Sequence, residues 1–204
     1  MPVEDQGTDQ PGDFEARLRA VTIGEPSLHS GPIVLVAYDD QWPHVFRTEA
    51  ERVLDVLGER ALRIEHVGST SVPGLAAKPI IDMLLVVVDS AEERAYVPPL
   101  EEAGYVLRIR EPGWYEHRLM KGPAENINLH VFSQGCAEID RMLLFRERLR
   151  ADAGDRELYL RTKQELAARS WEYVQNYADA KSAVVKEIIE RAAAAAGGRP
   201  TTTV

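Results

Sequence analysis

The nine residues IIDMLLVVV, from Ile80 to Val88, are apolar on both alternating sets of positions except at Asp82. A strand that is apolar on both faces has to be covered on both, so this run predicts a central strand of a layered sheet. A carboxylate in such a strand costs free energy unless it is paired, hydrogen-bonded or bound to a cation. Asp82 therefore predicts a partner. Two readings stand side by side: a structural ion pair with Lys78 or an arginine, or a metal ligand or catalytic acid/base at the end of the sheet.

Other segments supply the rest of an α+β architecture. PIVLVA (32–37) reads as a strand, and YDD after it as an Asp cap on a helix that begins near Gln41. Trp42, Val45, Phe46, Val53, Leu54 and Leu57 recur at helical spacing there, and Gly58 ends the pattern. LRIEHV (62–67), YVLRI (105–109), YEHRLMKG (115–122) and NINLHVFS (126–133) read as strands, and AEERAYVPPLEEAG (91–104) as a helix interrupted or capped around Pro98 and Pro99. FEARLRAVTIG (14–24) reads as a short helix or a surface segment. Beyond Gly135 the chain turns to long charged and Leu/Ala-rich stretches, predicting three helices over 137–196 with breaks at Gly154 and near Asn176. The expected organisation is a largely flexible tail at 1–30, a folded domain over 31–196 and a second flexible tail at 197–204.

Composition narrows the classes of function. With 45% hydrophobic and 28% charged residues the chain has the balance of a soluble globular protein. Its net charge of -9 argues against broad nucleic-acid binding, which rewards basic surfaces. There is no apolar run of about 18 residues to cross a membrane, and the polar, acidic start does not resemble a secretory signal, so the cytoplasm is the expected location. The single cysteine, Cys136, builds neither a disulfide nor a thiolate metal site by itself.

Four places carry chemistry. In HVGSTSVPGLAAK (66–78) a strand opens into small residues, with Gly68 free to adopt unusual backbone angles and Ser69, Thr70 and Ser71 offering hydroxyl and N–H groups; this is either an anion-holding loop or a tight structural turn. Its spacing is neither GxxxxGK[ST] nor GxGxxG. In NINLHVF, alternation puts Asn126, Asn128 and His130 on one face, where His130 is a metal ligand, a general base, a phosphate contact or a plain structural residue. Tyr177, Lys181, Val184, Val185 and Ile188 share a helical stripe, so Lys181 snorkels, pairs with a buried acid such as Asp82, or points into a pocket as an anion contact. The charges of FRERLRADAGDRELYLRTK read as a solvated face, Arg146 excepted.

RIEHVGSTSVPGLAAKPIID, followed in order by NLHVF, LLFRERLRA and YADAKSAVVKEII, resembles the GrpB family, also called UPF0157, over about residues 32–191. The resemblance implies a nucleotidyltransferase-like fold of the DNA polymerase β superfamily: a mixed sheet with flanking helices, a glycine-serine turn for nucleotide phosphates, and acids on the next strand. It implies a nucleoside triphosphate ligand and Mg²⁺. Val67, Gly68 and Ser69 match the turn, and Asp82 the first acid and metal ligand. Leu84 occupies the place of the second acid, and His130 stands where the later strand would carry a third. Two Mg²⁺ ions about 4 Å apart need several flanking oxygens, to which Glu65 is a further candidate contributor. In this light Ser69, Thr70 and Ser71 are the phosphate contacts, Lys78 and Lys181 the neutralising cations, Asn128 and Tyr177 further ligand contacts, and His130 a base or ligand. The implied function is nucleotidyl transfer to a small-molecule acceptor. The alternative is a catalytically degenerate binding module of the same fold. Relatives joined to dephospho-CoA kinase give an associational link to coenzyme A, although this chain has no Walker A loop.

Overall fold

The computed structural model describes residues 11–26, 32–124 and 126–197, and the tails expected at 1–10, 27–30 and 198–204 lie outside them. Strands β1 (Arg63–Val67), β2 (Ile81–Val87), β3 (Val106–Glu111), β4 (His117–Lys121) and β5 (Ile127–Ser133) form one mixed sheet in the order β1-β2-β5-β4-β3. The apolar run takes an inner place, as two covered faces demand, and of its seven strand residues only Asp82 escapes full burial. β3 pairs antiparallel with β4, and β4 with β5. Gly122 makes the β4–β5 connection close, because a Cβ there would stand 2.5 Å from the Ile127 side chain. Leu62 N, just before β1, donates to Val86 O late in β2. Gln134 N, just after β5, donates to Val87 O at the end of β2, so β5 runs parallel to β2.

The chain divides into two compact units. The first holds the described residues of Met1–Ser27, Val45–His66 and Asp82–Cys136; the second holds those of Leu28–His44, Val67–Ile81 and Ala137–Val204. In the first, α1 (Pro11–Val21) falls within the segment expected as tail and is tied down, since Ile23 N donates to Arg108 O at 2.8 Å and Thr22 bridges Ile109. α2 (Trp42–Leu57) buries Ala50, Val53 and Leu57 but leaves Leu54 exposed, and Gly58 closes it at φ +54°. α3 (Val97–Glu102) carries Pro98 and Pro99 in its first turn, where the missing N–H groups cost nothing. Of the two readings of these prolines, interruption and cap, the helix start is the one found.

The second unit is helical: α4 (Ala137–Ala151), α5 (Ala153–Ala167), α6 (Val174–Asp179) and α7 (Ser182–Gly197). Leu149, Tyr159, Val184 and Ile188 from three of these helices pack with Val72 and Leu75, and Ile33, Leu166 and Tyr177 form a second cluster.

Four expectations are corrected in this unit. Four helices replace three, because the Asp152 carboxylate caps α5 by accepting from Asp155 N at 2.9 Å, with Gly154 inside its first turn. The Asn176 side chain accepts from Tyr173 N and so starts α6, and the break falls at Ala180–Lys181 instead. PIVLVA is no sheet strand. Only Val36 pairs, exchanging two hydrogen bonds with Ala77, and Pro73 and Pro79 near that partner offer no N–H with which to extend a ladder. The charges of α4 and α5 are not all solvated either: Asp155 and Lys163 are buried, and Arg148 and Arg191 close on the two oxygens of Asp155.

Candidate functional site

In the first unit the alternation of β5 holds: Ile127, Leu129 and Val131 are buried on one face, while Asn128 and His130 are half-exposed on the other. Register places Lys121 opposite Asn128, Leu119 opposite His130, and Glu111 opposite His117. Asp82, on the neighbouring β2, opens to the same polar face. Asn128 Nδ2 donates to Asp82 Oδ1 at 2.8 Å, and Lys121 Nζ donates to Asn128 Oδ1 at 2.5 Å. His130 Nε2 stands 3.7 Å from the same Asp82 oxygen.

A second line of contacts leaves the other side of the His130 ring. His130 Nδ1 lies 3.1 Å from His117 Nε2, and His117 Nδ1 lies 2.6 Å from Glu111 Oε2. His117 is 4% exposed, stacked between the His130 and Phe132 rings and met edge-on by Trp114. Burial pulls its pKa below the ordinary histidine value against the raising effect of Glu111, and His130 lowers it further, so the ring is neutral at pH 7. Burial likewise lowers Lys121, opposed by the Asp82 charge.

The second unit holds the glycine-serine turn. Gly68 adopts φ +68°, the region that favours glycine, and Ser69–Ser71 form one tight helical turn after it. Thr70 and Ser71 are buried and turn their hydroxyls inward, Thr70 Oγ1 donating to Ile80 O at 3.0 Å and Ser71 Oγ to Gly68 O at 2.6 Å. Each hydroxyl has one proton to give. The expectation that Thr70 and Ser71 present hydroxyl donors to a phosphate is therefore corrected: these two shape the turn, and Ser69 is its half-exposed serine. Arg150 clamps Ser71 O with two N–H groups at 3.0 and 2.8 Å, and Lys163 Nζ donates to Ala76 O at 2.5 Å.

Three lysines gather on two tyrosine rings in this unit. Lys181 Nζ stands 4.4 Å and Lys78 Nζ 5.9 Å from the centre of Tyr177, and Lys163 Nζ stands 4.9 Å from that of Tyr159. Burial, with Lys181 adding repulsion, brings Lys163 down to about 7. Among the described residues neither Lys163 nor Lys181 has a carboxylate within 4 Å, and the buried Tyr177 hydroxyl has no hydrogen-bond partner.

Of the residues singled out in the sequence, the first unit brings Asp82, Asn128 and His130 together, and the second brings Lys78, Tyr177 and Lys181 together. Asn126 precedes β5, and Glu65 accepts from Arg63 within β1 at 2.9 Å. Lys121, His117, Glu111 and Lys163 were missed. Alternation in YEHRLMKG does put His117 and Lys121 on one face, but only the pairing of β4 with β5 shows that it is the face of His130. Nothing in the pattern of α5, charged on every side, marks Lys163.

The two-ion Mg²⁺ arrangement does not fit this polar face. Leu84, two residues along β2 from Asp82, is fully buried and brings no second carboxylate, and an amide and an imidazole are among the groups beside Asp82. Among the described residues no three His, Cys, Asp or Glu side chains come together as a metal set.

Comparison with known proteins places the chain. Residues 32–191 match the family described as GrpB protein. A UPF0157 protein of Halalkalibacterium halodurans is 58% identical over 191 residues, covering 94% of this chain and 97% of that one. The crystal structure of the conserved protein GrpB from Enterococcus faecalis superposes with a TM-score of 0.69 at 33% identity, over 78% of this chain and 96% of that one. The Cid1 poly(U) polymerase, in a structure with MgGTP bound, gives a TM-score of 0.50 at 14% identity over 66% of this chain and 45% of its own, and shares the nucleotidyltransferase-like fold. A dephospho-CoA kinase of Mycolicibacterium paratuberculosis is 29% identical over 85% of this chain and only 49% of its own length. No helix among the described residues is long and apolar enough to cross a membrane.

Proposed function

Because the chain belongs to the GrpB family, and so to a nucleotidyltransferase-like fold, we propose that it binds a nucleoside triphosphate, taken as its Mg²⁺ complex, and transfers the nucleotidyl group to a small acceptor in the cytoplasm. The observation that carries this reading is the lysine cluster of the second unit. The Lys181 charge disfavours that of Lys163, with no carboxylate within 4 Å of either among the described residues, and a polyanion supplies the missing opposite charge. In this assignment Lys78 and Lys181 neutralise the phosphates, Ser69 and the backbone N–H groups of the Gly68 turn hold them, and the Tyr177 hydroxyl donates a hydrogen bond to the ligand.

The polar face of the first unit supplies the proton chemistry. Nucleotidyl transfer forms the bond from an acceptor oxygen to the α-phosphorus and breaks the one to the bridging oxygen, releasing pyrophosphate, and His130 Nε2 is the group of the first unit assigned to take a hydroxyl proton. Asp82, held by the Asn128 amide, sets a negative charge beside the imidazolium that forms on His130.

Titration calorimetry of ATP, GTP, CTP and UTP in the presence of Mg²⁺ tests the binding step. At least one is expected to bind the full chain, and Lys181→Ala to weaken it by about tenfold or more. Binding by none, or binding indifferent to Lys181, overturns the reading.

Leu84 favours a second reading, a module of the same fold that binds a nucleotide or coenzyme A-type anion without turning it over. Chromatographic screening for pyrophosphate and adducts separates the two: binding without any product supports the module.

A further inference from the structure

We propose that Glu111 and His117 are positioning residues that lock His130 as its Nδ1–H tautomer, leaving a bare Nε2 beside Asp82 as the proton-accepting atom of this face. The inference deepens the reading above by assigning the base its protonation state and two residues to maintain it.

The assignment runs inward from Glu111. A carboxylate accepts hydrogen bonds and gives none, so the 2.6 Å contact from Glu111 Oε2 puts the proton of His117 on Nδ1. In a neutral ring the other nitrogen then carries a lone pair, and His117 is held neutral by its burial. His117 Nε2 can therefore only accept, and the atom 3.1 Å away, His130 Nδ1, has to be the donor. One proton per neutral imidazole leaves His130 Nε2 bare.

Two independent distances agree with that result. His130 Nε2 stops 3.7 Å from Asp82 Oδ1, beyond hydrogen-bond reach, whereas an N–H facing a carboxylate closes to about 2.8 Å. Asp82 Oδ1 instead takes its hydrogen bond from Asn128 Nδ2 at 2.8 Å. The chain of rings is also rigid. His117 lies 4.7 Å from the Phe132 ring and 5.3 Å from the His130 ring, nearly parallel to each, with Trp114 edge-on at 5.1 Å, so the ring is held by contacts on several sides. Outer groups that fix which ring nitrogen carries the proton are a general device of histidine chemistry. The line also gives the proton an exit. Once Nε2 is protonated, the Nδ1 proton of His130 passes to His117 Nε2 and that of His117 to Glu111, whose side chain is 30% exposed.

Long-range proton–nitrogen NMR of the full chain, ¹⁵N-labelled at histidine and free of ligand near pH 7.5, reads the tautomer directly. In the unmodified protein His130 is expected to show a protonated Nδ1 and an unprotonated Nε2. His117→Phe keeps a flat ring in the stack but removes the acceptor, and is expected to move His130 toward the Nε2–H form; Glu111→Leu is expected to do the same through His117, with amide spectra confirming that both variants fold. An Nε2–H ring in the unmodified protein overturns the proposal, as does an unchanged His130 pattern in folded His117→Phe. No nucleotide enters this measurement, so a chain that binds none but shows the tautomer refutes the nucleotide reading alone.

Discussion

Asn128 stands between Lys121 and Asp82 and satisfies both, accepting from the ammonium at 2.5 Å and donating to the carboxylate at 2.8 Å. A single amide on β5 thus joins two opposite charges carried by the strands on either side of it, β4 and β2. Only a side chain with both a donor and an acceptor does this. Asn128→Ala is expected to destabilise the protein by about 1 to 3 kcal/mol, because two half-buried charged groups lose a partner at once. Urea unfolding at pH 7 measures it, and Asn128→Asp, which sets a carboxylate against Asp82, should cost at least as much.

The Lys163 ammonium is buried and titrates near 7 in the folded chain, against an ordinary value of 10.5. Between those values the unfolded chain binds the proton that the folded chain has released, so stability rises with pH through this window. The penalty is greatest below pH 7 and is relieved as pH climbs toward 10. Lys163→Met removes that dependence. The stability difference between Lys163→Met and the parent is therefore expected to shift in the parent's favour by on the order of 3 kcal/mol from pH 6.5 to 9.5, read by denaturant unfolding at each pH.

Tyr177 is 2% exposed, and burial raises the pKa of its unpartnered hydroxyl. Removing an unsatisfied buried oxygen relieves a desolvation cost. Tyr177→Phe is expected to leave the free protein as stable or up to about 1 kcal/mol more so, while weakening nucleoside triphosphate binding several-fold. Thermal unfolding with and without nucleotide checks both halves; a loss of stability with unchanged binding would assign the hydroxyl a structural role.

The parts of the molecule readable from its sequence are those where one strand or helix decides the outcome. IIDMLLVVV had to be an inner strand because both its faces are apolar, and Asn128 and His130 had to share a face because side chains alternate. What escaped depends on two segments at once. His117 and Lys121 become neighbours of His130 only through the register of β4 on β5, which hydrophobic patterning leaves free. PIVLVA carries every local mark of a strand, yet proline near its only partner residue leaves it a single bridge. Lys163 lies in a helix whose charges surround it, so no stripe distinguishes the one lysine that is buried.

The turn at Gly68 is fastened at four carbonyls: its own Gly68 and Ser71, and those of Ala76 and Ile80. Every one of these bonds is internal to the second unit and present in the free protein. An anion that settles on this turn meets a surface whose conformational freedom was already surrendered during folding, so little ordering entropy is charged against its affinity. Loosening one fastening, as Arg150→Ala does at Ser71 O, is expected to weaken such recognition through a more mobile host.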